Sequence, residues 1–295
     1  MESVITHVQR MSIHDGPGIR SVVFFKGCNM RCAWCHNPET FSRQPQLKFT
    51  ADNCISCQAC VTACESDALS YEKGKVIWKP TACRQCHQCV SHCFTKALKV
   101  VGERYQTSEV VELLRQDFPF FRQSNGGVTL SGGEPMMQGE ALFLLLKALK
   151  AEKIHCVVQT NMSYPWARYK KLLPLVDLWM VDLKLMDAAQ HQKWTGIPNE
   201  RILSNIRKLD EKQAAYELRC PVVPKVNDEP EQLKAMATFI HALKHCQHFQ
   251  LNAFHPMGAP KYDALGMNNP FREVDSPSED RMEFFNRMIQ WQQKP

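Results

Sequence analysis

Cys28, Cys32 and Cys35 sit in the run Gly27-Cys28-Asn29-Met30-Arg31-Cys32-Ala33-Trp34-Cys35-His36-Asn37, spaced C-x3-C-x2-C with no fourth cysteine nearby. Three thiolates leave one iron of a four-iron cluster without a protein ligand. An incompletely ligated metal centre implies chemistry at the open position, as a catalytic zinc keeps one position free while a structural zinc is closed.

Fourteen cysteines in 295 residues is a high count. Met1–Arg10 lacks the apolar core of a signal peptide, and the longest apolar run, Ala141–Leu146, is too short to span a bilayer. The chain is therefore read as cytoplasmic, where cysteines act as metal ligands rather than disulfides. Cys156, Cys220 and Cys246 are isolated and read as small buried hydrophobes. The net charge of +6 comes from 36 basic and 30 acidic residues spread along the chain. That spread describes a solvated surface and gives no case for a nucleic-acid or membrane partner.

Eight further cysteines form an island between residues 51 and 100. Cys54, Cys57, Cys60 and Cys64 are spaced C-x2-C-x2-C-x3-C, and Cys83, Cys86, Cys89 and Cys93 repeat the spacing. This is the run of two-cluster bacterial ferredoxins, in which the fourth cysteine of each run ligates the other cluster. One set is thus Cys54, Cys57, Cys60 and Cys93; the other is Cys83, Cys86, Cys89 and Cys64. Glu65 and Phe94 stand where the ferredoxin run has proline. The competing reading is a pair of structural zinc sites, which favour two pairs of ligands separated by a spacer.

The elements that must position these groups alternate in type. Strands are expected at 21–25, 127–131, 155–159, 178–182, 216–223 and 248–254, and helices at 107–117 (with Thr107 as a cap), 138–153 and 278–292. Such alternation predicts βαβ units and a parallel sheet, with ligand chemistry at the carboxyl ends of the strands. The candidate residues fall there: the cysteine loop after the first strand, then Gly132-Gly133-Glu134-Pro135, Thr160-Asn161, Asp182 with Lys184, Arg219, and His255. The chain divides into the start of this fold (1–50), the island (51–100) and the remainder (101–295).

With these residues in view, the chain resembles the glycyl-radical-enzyme activating enzymes of the radical S-adenosylmethionine (radical SAM) superfamily. Asp15-Gly16-Pro17-Gly18-Ile19-Arg20, then Phe24-Phe25-Lys26-Gly27-Cys28, then Cys35-His36-Asn37-Pro38-Glu39-Thr40 look like the activase opening, and Gly132-Gly133-Glu134-Pro135 looks like the superfamily's glycine-rich motif. The island resembles the subgroup that carries two extra clusters. The resemblance implies an α/β fold: a partial (β/α)6 TIM-type barrel with an inserted ferredoxin-like bis-cluster domain. It implies three 4Fe-4S clusters, S-adenosylmethionine chelated at the open iron of the triad, and reductive cleavage to methionine and a 5'-deoxyadenosyl radical. That radical takes a hydrogen from a glycine of a partner glycyl radical enzyme, with a flavodoxin or ferredoxin-type electron donor.

By the same resemblance Trp34 contacts adenine, Gly132 and Gly133 bring backbone to the cofactor, and Glu134 accepts from its ammonium. Lys184, beside Asp182, and Arg219 meet the methionyl carboxylate, His255 lies near the nucleoside, and Asp15 touches the incoming glycine loop. Packing for Trp34 and a helix N-terminal carboxylate for Glu134 are the alternatives. Some relatives bind a monovalent cation through an acidic residue before Thr160; here Gln159 stands there, and Asn161-Met162 follows, so a cation site at Asp182 and the Met180 carbonyl is in doubt. Two other functions fit the motifs less fully: a radical SAM enzyme acting on a small molecule or peptide, and a non-catalytic ferredoxin-like electron carrier.

Overall fold

The computed structural model describes residues 1–289. Twelve strands form three sheets. They are β1 (Glu2–Ser12), β2 (Arg20–Phe25), β3 (Gln46–Phe49), β4 (Leu69–Glu72), β5 (Lys75–Trp78), β6 (Leu98–Val101), β7 (Glu103–Gln106), β8 (Gly127–Gly132), β9 (His155–Thr160), β10 (Leu178–Asp182), β11 (Tyr216–Val222) and β12 (Cys246–Ala253). The main sheet runs β12-β11-β10-β9-β8-β2-β1-β7. The six expected strands are its parallel members, β2 and β8–β12, in sequential order. Sequential order has no reversal point, so like-handed crossovers put the helices on one face and the sheet covers its other face by curving, as in a partial barrel.

The helix-facing side carries the main core, including Val128, Leu130, Val158, Trp179, Val181, Tyr216 and Leu218. The inner side alternates with it: Val157, Leu178 and Met180 pack together there, and Ser131, Gln159 and Asp182 follow toward the strand ends. No helix among the described residues is long and apolar enough to cross a membrane.

Two strands of the main sheet were not expected. β1 pairs antiparallel with β2 and β7 antiparallel with β1, extending the sheet at its amino-terminal edge. The helix expected from Thr107 spans Thr107–Arg115, but its cap is Gln106: Glu109 Oε2 accepts from Gln106 N at 2.6 Å, while the Thr107 hydroxyl donates to Met1 O. The 138–153 helix begins later, at Glu140, because Gly139 (φ +58°) separates it from a 3-10 turn over Pro135–Gln138. The last helix is described over Glu279–Ile289; residues 290–292 of the expected span lie outside the described residues.

The loop from Ile13 to Ile19 runs along the inner face. Asp15 O accepts from Thr129 Oγ1 at 2.6 Å on β8, and His14 O accepts from Arg219 Nη2 at 3.4 Å on β11. Its anchor is Arg20, fully buried, which donates to Thr129 Oγ1 (2.7 Å), Pro17 O (3.0 Å), Val128 O (2.7 Å) and His155 O (3.2 Å). Burial lowers this guanidinium to about 10, and no carboxylate hydrogen-bonds it. Arg20→Met strands these buried acceptors, so denaturant unfolding of the cluster-free protein should show a loss of about 2–3 kcal/mol. A loss below about 0.5 kcal/mol, the range of neutral surface changes, would mean the loop is held without it.

Candidate functional site

The three-cysteine loop leaves β2 and is pinned at once. Gly133 N donates to Phe25 O (2.9 Å) and Glu134 N to Gly27 O (2.8 Å). A Cβ on Gly133 would lie 2.2 Å from Gly27 O, and one on Gly132 (φ +101°) 2.4 Å from Phe25 N. Both positions therefore require glycine, for sterics and for the left-handed backbone at Gly132. The end of β8 is stitched against the residues that launch Cys28.

Glu134 is fully buried. Its Oε1 accepts from Met136 N (3.0 Å) and Thr160 Oγ1 (2.8 Å), and its Oε2 accepts from Asn161 N (2.8 Å). The carboxylate thus caps the 3-10 turn and ties β8 to the end of β9. Asn161 Nδ2 donates to Asn29 Oδ1 (3.0 Å), and Asn29 Nδ2 donates to Ser163 Oγ (2.8 Å), which returns the tie to the cysteine loop. A second chain crosses three strand ends: Ser131 Oγ donates to Gln159 Oε1 (2.8 Å), Gln159 Nε2 to Asp182 Oδ1 (3.5 Å), and Lys184 Nζ to Asp182 Oδ2 (2.8 Å). Asn227 holds the next junction, donating to Lys184 O (2.8 Å) and Pro221 O (2.7 Å).

Arg219 stands opposite Asp182 in the β10–β11 register. Its Nε is buried without a partner, and so is Nδ1 of His255. His36, next to Cys35, fixes His255: the ring centroids lie 4.0 Å apart at a tilt of 38°, and His36 Nε2 donates to His255 O at 2.6 Å. Trp34 is 7% exposed and packs with Leu185, Val223, Phe254 and Phe271 beside Cys32, edge-on to Phe271 at 6.3 Å. Sequence reasoning missed Asn29, Ser131, His36 and Asn227; Asn29 and His36 are adjacent to triad cysteines, the one signal that could have flagged them.

Burial pushes the Cys28 thiol up to about 12 and raises Cys32 and Cys35 as well. Burial alone would lower the Lys184 ammonium, but Asp182 and Cys32 outweigh it and the net shift is upward.

The island repeats at a shift of 29 residues, Cys54 to Cys83 and Cys64 to Cys93. The left-handed residues Ser56, Gln58 and Asp67 recur as Gln85, His87 and Lys96. β3 pairs with β6 and β4 with β5, and Leu47, Leu69, Val76 and Leu98 pack with Cys60 and Cys89 between them. Cys54, Cys57, Cys60 and Cys93 line one small cavity; Cys64, Cys83, Cys86 and Cys89 line a second. Each cavity thus draws three thiols from one run and the fourth from the other. Cys156, Cys220 and Cys246 are buried.

Residues 82–237 match the Radical SAM superfamily, and residues 14–69 match a 4Fe-4S single cluster domain. The chain is 36% identical over 92% of its length to the (2S)-3-sulfopropanediol dehydratase activating enzyme of Klebsiella oxytoca, covering 88% of that protein. It is 34% identical over 98% of its length to the trans-4-hydroxy-L-proline dehydratase activating enzyme of Clostridioides difficile, covering 97%. This chain belongs to the radical SAM superfamily. Within it, the chain is one of the glycyl-radical-enzyme activating enzymes. Streptococcus suis SuiB bound to precursor peptide SuiA shares the fold, with TM-score 0.55 at 12% identity over 91% of this chain and 44% of that one.

Glu134 gives this radical SAM site a testable pH signature. Burial pushes its carboxyl from an ordinary 4.5 up to about 7. The folded state then holds the proton more tightly than the unfolded chain, so Glu134's contribution is full below about 4.5, declines as pH rises to about 7, and is flat above. In the cluster-free protein, the stability difference between wild type and Glu134→Gln should shrink across that window. A difference constant from pH 4.5 to 7 would refute the burial effect.

Proposed function

We propose that the eleven clustered cysteines hold three four-iron clusters, and that the triad cluster binds S-adenosylmethionine to activate a glycyl radical enzyme. The observation that carries the reading is a three-cysteine loop, with no fourth thiol, at the carboxyl edge of six sequential parallel strands in a member of this superfamily. Cys28, Cys32 and Cys35 would hold the triad cluster, which when bound and reduced would supply the electron for cleaving S-adenosylmethionine and so the radical that removes a hydrogen atom from the partner's glycine.

The residues present suit the cofactor. Arg219 Nε, on β11, and His255 Nδ1, two residues past the end of the adjacent strand β12, are buried polar atoms lacking partners. Arg219 has the planar fork that suits a carboxylate. Lys184, held charged by Asp182, adds a cation on the same edge. Gly132 and Gly133 keep side chains away from the backbone beside the loop. Glu134 acts here as a structural acceptor for Met136, Thr160 and Asn161, and Trp34 as part of the aromatic cluster over Cys32. Gln159 is uncharged and Asp182 is matched by Lys184, so the paired carboxylates that a monovalent cation would need are not assembled.

In the island, the four thiols of each crossed set surround a cavity, and no group of three or more His, Cys, Asp or Glu among the described residues closes on a single metal ion. That geometry supports clusters over zinc, whose thiolates meet one point at about 2.3 Å. Fully ligated clusters move electrons and bind no substrate, so the ferredoxin-like domain is read as a relay from a flavodoxin or ferredoxin-type donor in a reducing cytoplasm. The partner is a glycyl radical enzyme; the relatives activate dehydratases, decarboxylases and lyases at comparable identities.

Anaerobic reconstitution should give about twelve irons per chain with matching sulfide. Incubation with reductant, S-adenosylmethionine and the cognate glycyl radical enzyme should produce a glycyl doublet in electron paramagnetic resonance. Cys32→Ala should abolish S-adenosylmethionine cleavage while retaining about eight irons. Cleavage that survives Cys32→Ala, or 5'-deoxyadenosine formation with no radical on any glycyl radical enzyme offered, would overturn the assignment.

A further inference from the structure

The 29-residue repeat lets the two island cavities be compared position by position. Phe49 of the first corresponds to Trp78 of the second, Gln58 to His87, and Ile55 to Arg84. Trp78 Nε1 and His87 Nε2 are both buried, and neither has a hydrogen-bond partner in the protein. An indole N–H can only donate, and leaving such a group buried and unpaired is destabilising. Phe49 carries no polar atom, and Gln58 is exposed.

Other donors separate the two sets by one backbone bond: Ser56 N donates to Cys54 Sγ at 3.4 Å in the first set, whereas Leu98 N on Cys93 Sγ (3.4 Å) is matched by Leu69 N on Cys64 in the second. Ser66 Oγ lies 3.7 Å from Cys64 Sγ in the second set, and Thr95 Oγ1 lies 3.8 Å from Cys93 Sγ in the first. His92 lines the first cavity where the second has Ala63, but it is an exposed side chain. Arg84, like His92, is exposed, so the net asymmetry is two buried, unpartnered side-chain nitrogens, Trp78 Nε1 and His87 Nε2, on the side of the second cavity against one backbone N–H on the side of the first.

Hydrogen bonds to cluster sulfurs and nearby positive charge favour the reduced, more negative cluster and raise its potential. We propose that Trp78 and His87 donate to sulfurs of the cluster held by Cys64, Cys83, Cys86 and Cys89. That cluster then has a higher reduction potential than the one on Cys54, Cys57, Cys60 and Cys93. One electron from a low-potential donor protein reduces one cluster by one unit, with no bond broken and no proton required. Entering at the first cluster, it passes downhill to the second. This ordering rests on the reading that both cavities hold clusters.

The test is a redox titration of anaerobically reconstituted protein followed by electron paramagnetic resonance, with iron and sulfide measured first. Wild type should show two island waves. Trp78→Phe, which restores the residue of the other half, should lower only the upper wave. The oxidised-to-reduced ratio at fixed potential should rise roughly tenfold, 59 mV for one electron. His87→Gln should move the same wave in the same direction, and stands in for Trp78→Phe if that variant loads poorly. Waves that stay in place in fully loaded variants, or a shift of the lower wave, would overturn the ordering while leaving the clusters in place. Iron short of island loading in the wild type would defeat the cluster reading itself, and the ordering with it.

Discussion

Phe25–Gly27 and Gly132–Glu134 approach so closely that neither Gly132 nor Gly133 has room for a Cβ, and the geometry of the site follows from that contact. β2 and β8 are neighbours in the sheet, so their ends would be near each other in any case. The two backbone hydrogen bonds across the stitch fix the depth at which the cysteine loop departs. From there the constraint runs in a ring. Glu134 reaches Thr160 and Asn161, Asn161 reaches Asn29, and Asn29 lies between Cys28 and Met30. A thiol-bearing loop with no metal would otherwise have few local restraints; here it is positioned by two strand ends before any cluster forms.

That ring explains why a buried carboxylate is kept in a fold that pays for it in desolvation. An apolar residue at 134 would leave Met136 N and Asn161 N buried and unpaired, a cost comparable to that of burying the acid. Lys26 plays a parallel part on the other side of the loop. Its ammonium is buried, donates to Gln46 Oε1 at 2.7 Å and to Glu39 O, and burial lowers it to about 8. One cation thereby joins the strand before the triad, the segment after it and β3, which pairs with β6 of the island. The island is thereby fastened to the loop that carries the triad.

What could be read from the sequence follows from which signals are local. Cysteine spacing is fixed by the chain itself, so the triad and the two runs of the island stand out in the sequence. The six parallel strands were legible because each is an apolar run ending in a polar residue at the same edge. β3 to β7 were not, since four residues give too short a period, and β1 alternates weakly with many polar positions on an edge-proximal strand. The partners of Glu134 and Trp34 were not legible either. Thr160 is distant in sequence from Glu134, and the aromatic cluster joins Trp34 to Phe254 and Phe271 across most of the chain.

The crossing of the fourth cysteines has a consequence for how the island folds. Cys64 leaves the first half to complete the second set, and Cys93 leaves the second half to complete the first. β3 of the first half pairs with β6 of the second, and the small core between them draws on both. Neither half can bury its apolar face or close its thiol set alone, so two sequence repeats make one cooperative unit. Where ligand binding and folding are linked in this way, filling one set stabilises the fold that presents the other. The barrel shows the opposite arrangement. Its three-cysteine loop is braced by hydrogen bonds from strands that need no metal, which leaves the open position free to serve a reacting molecule rather than the fold.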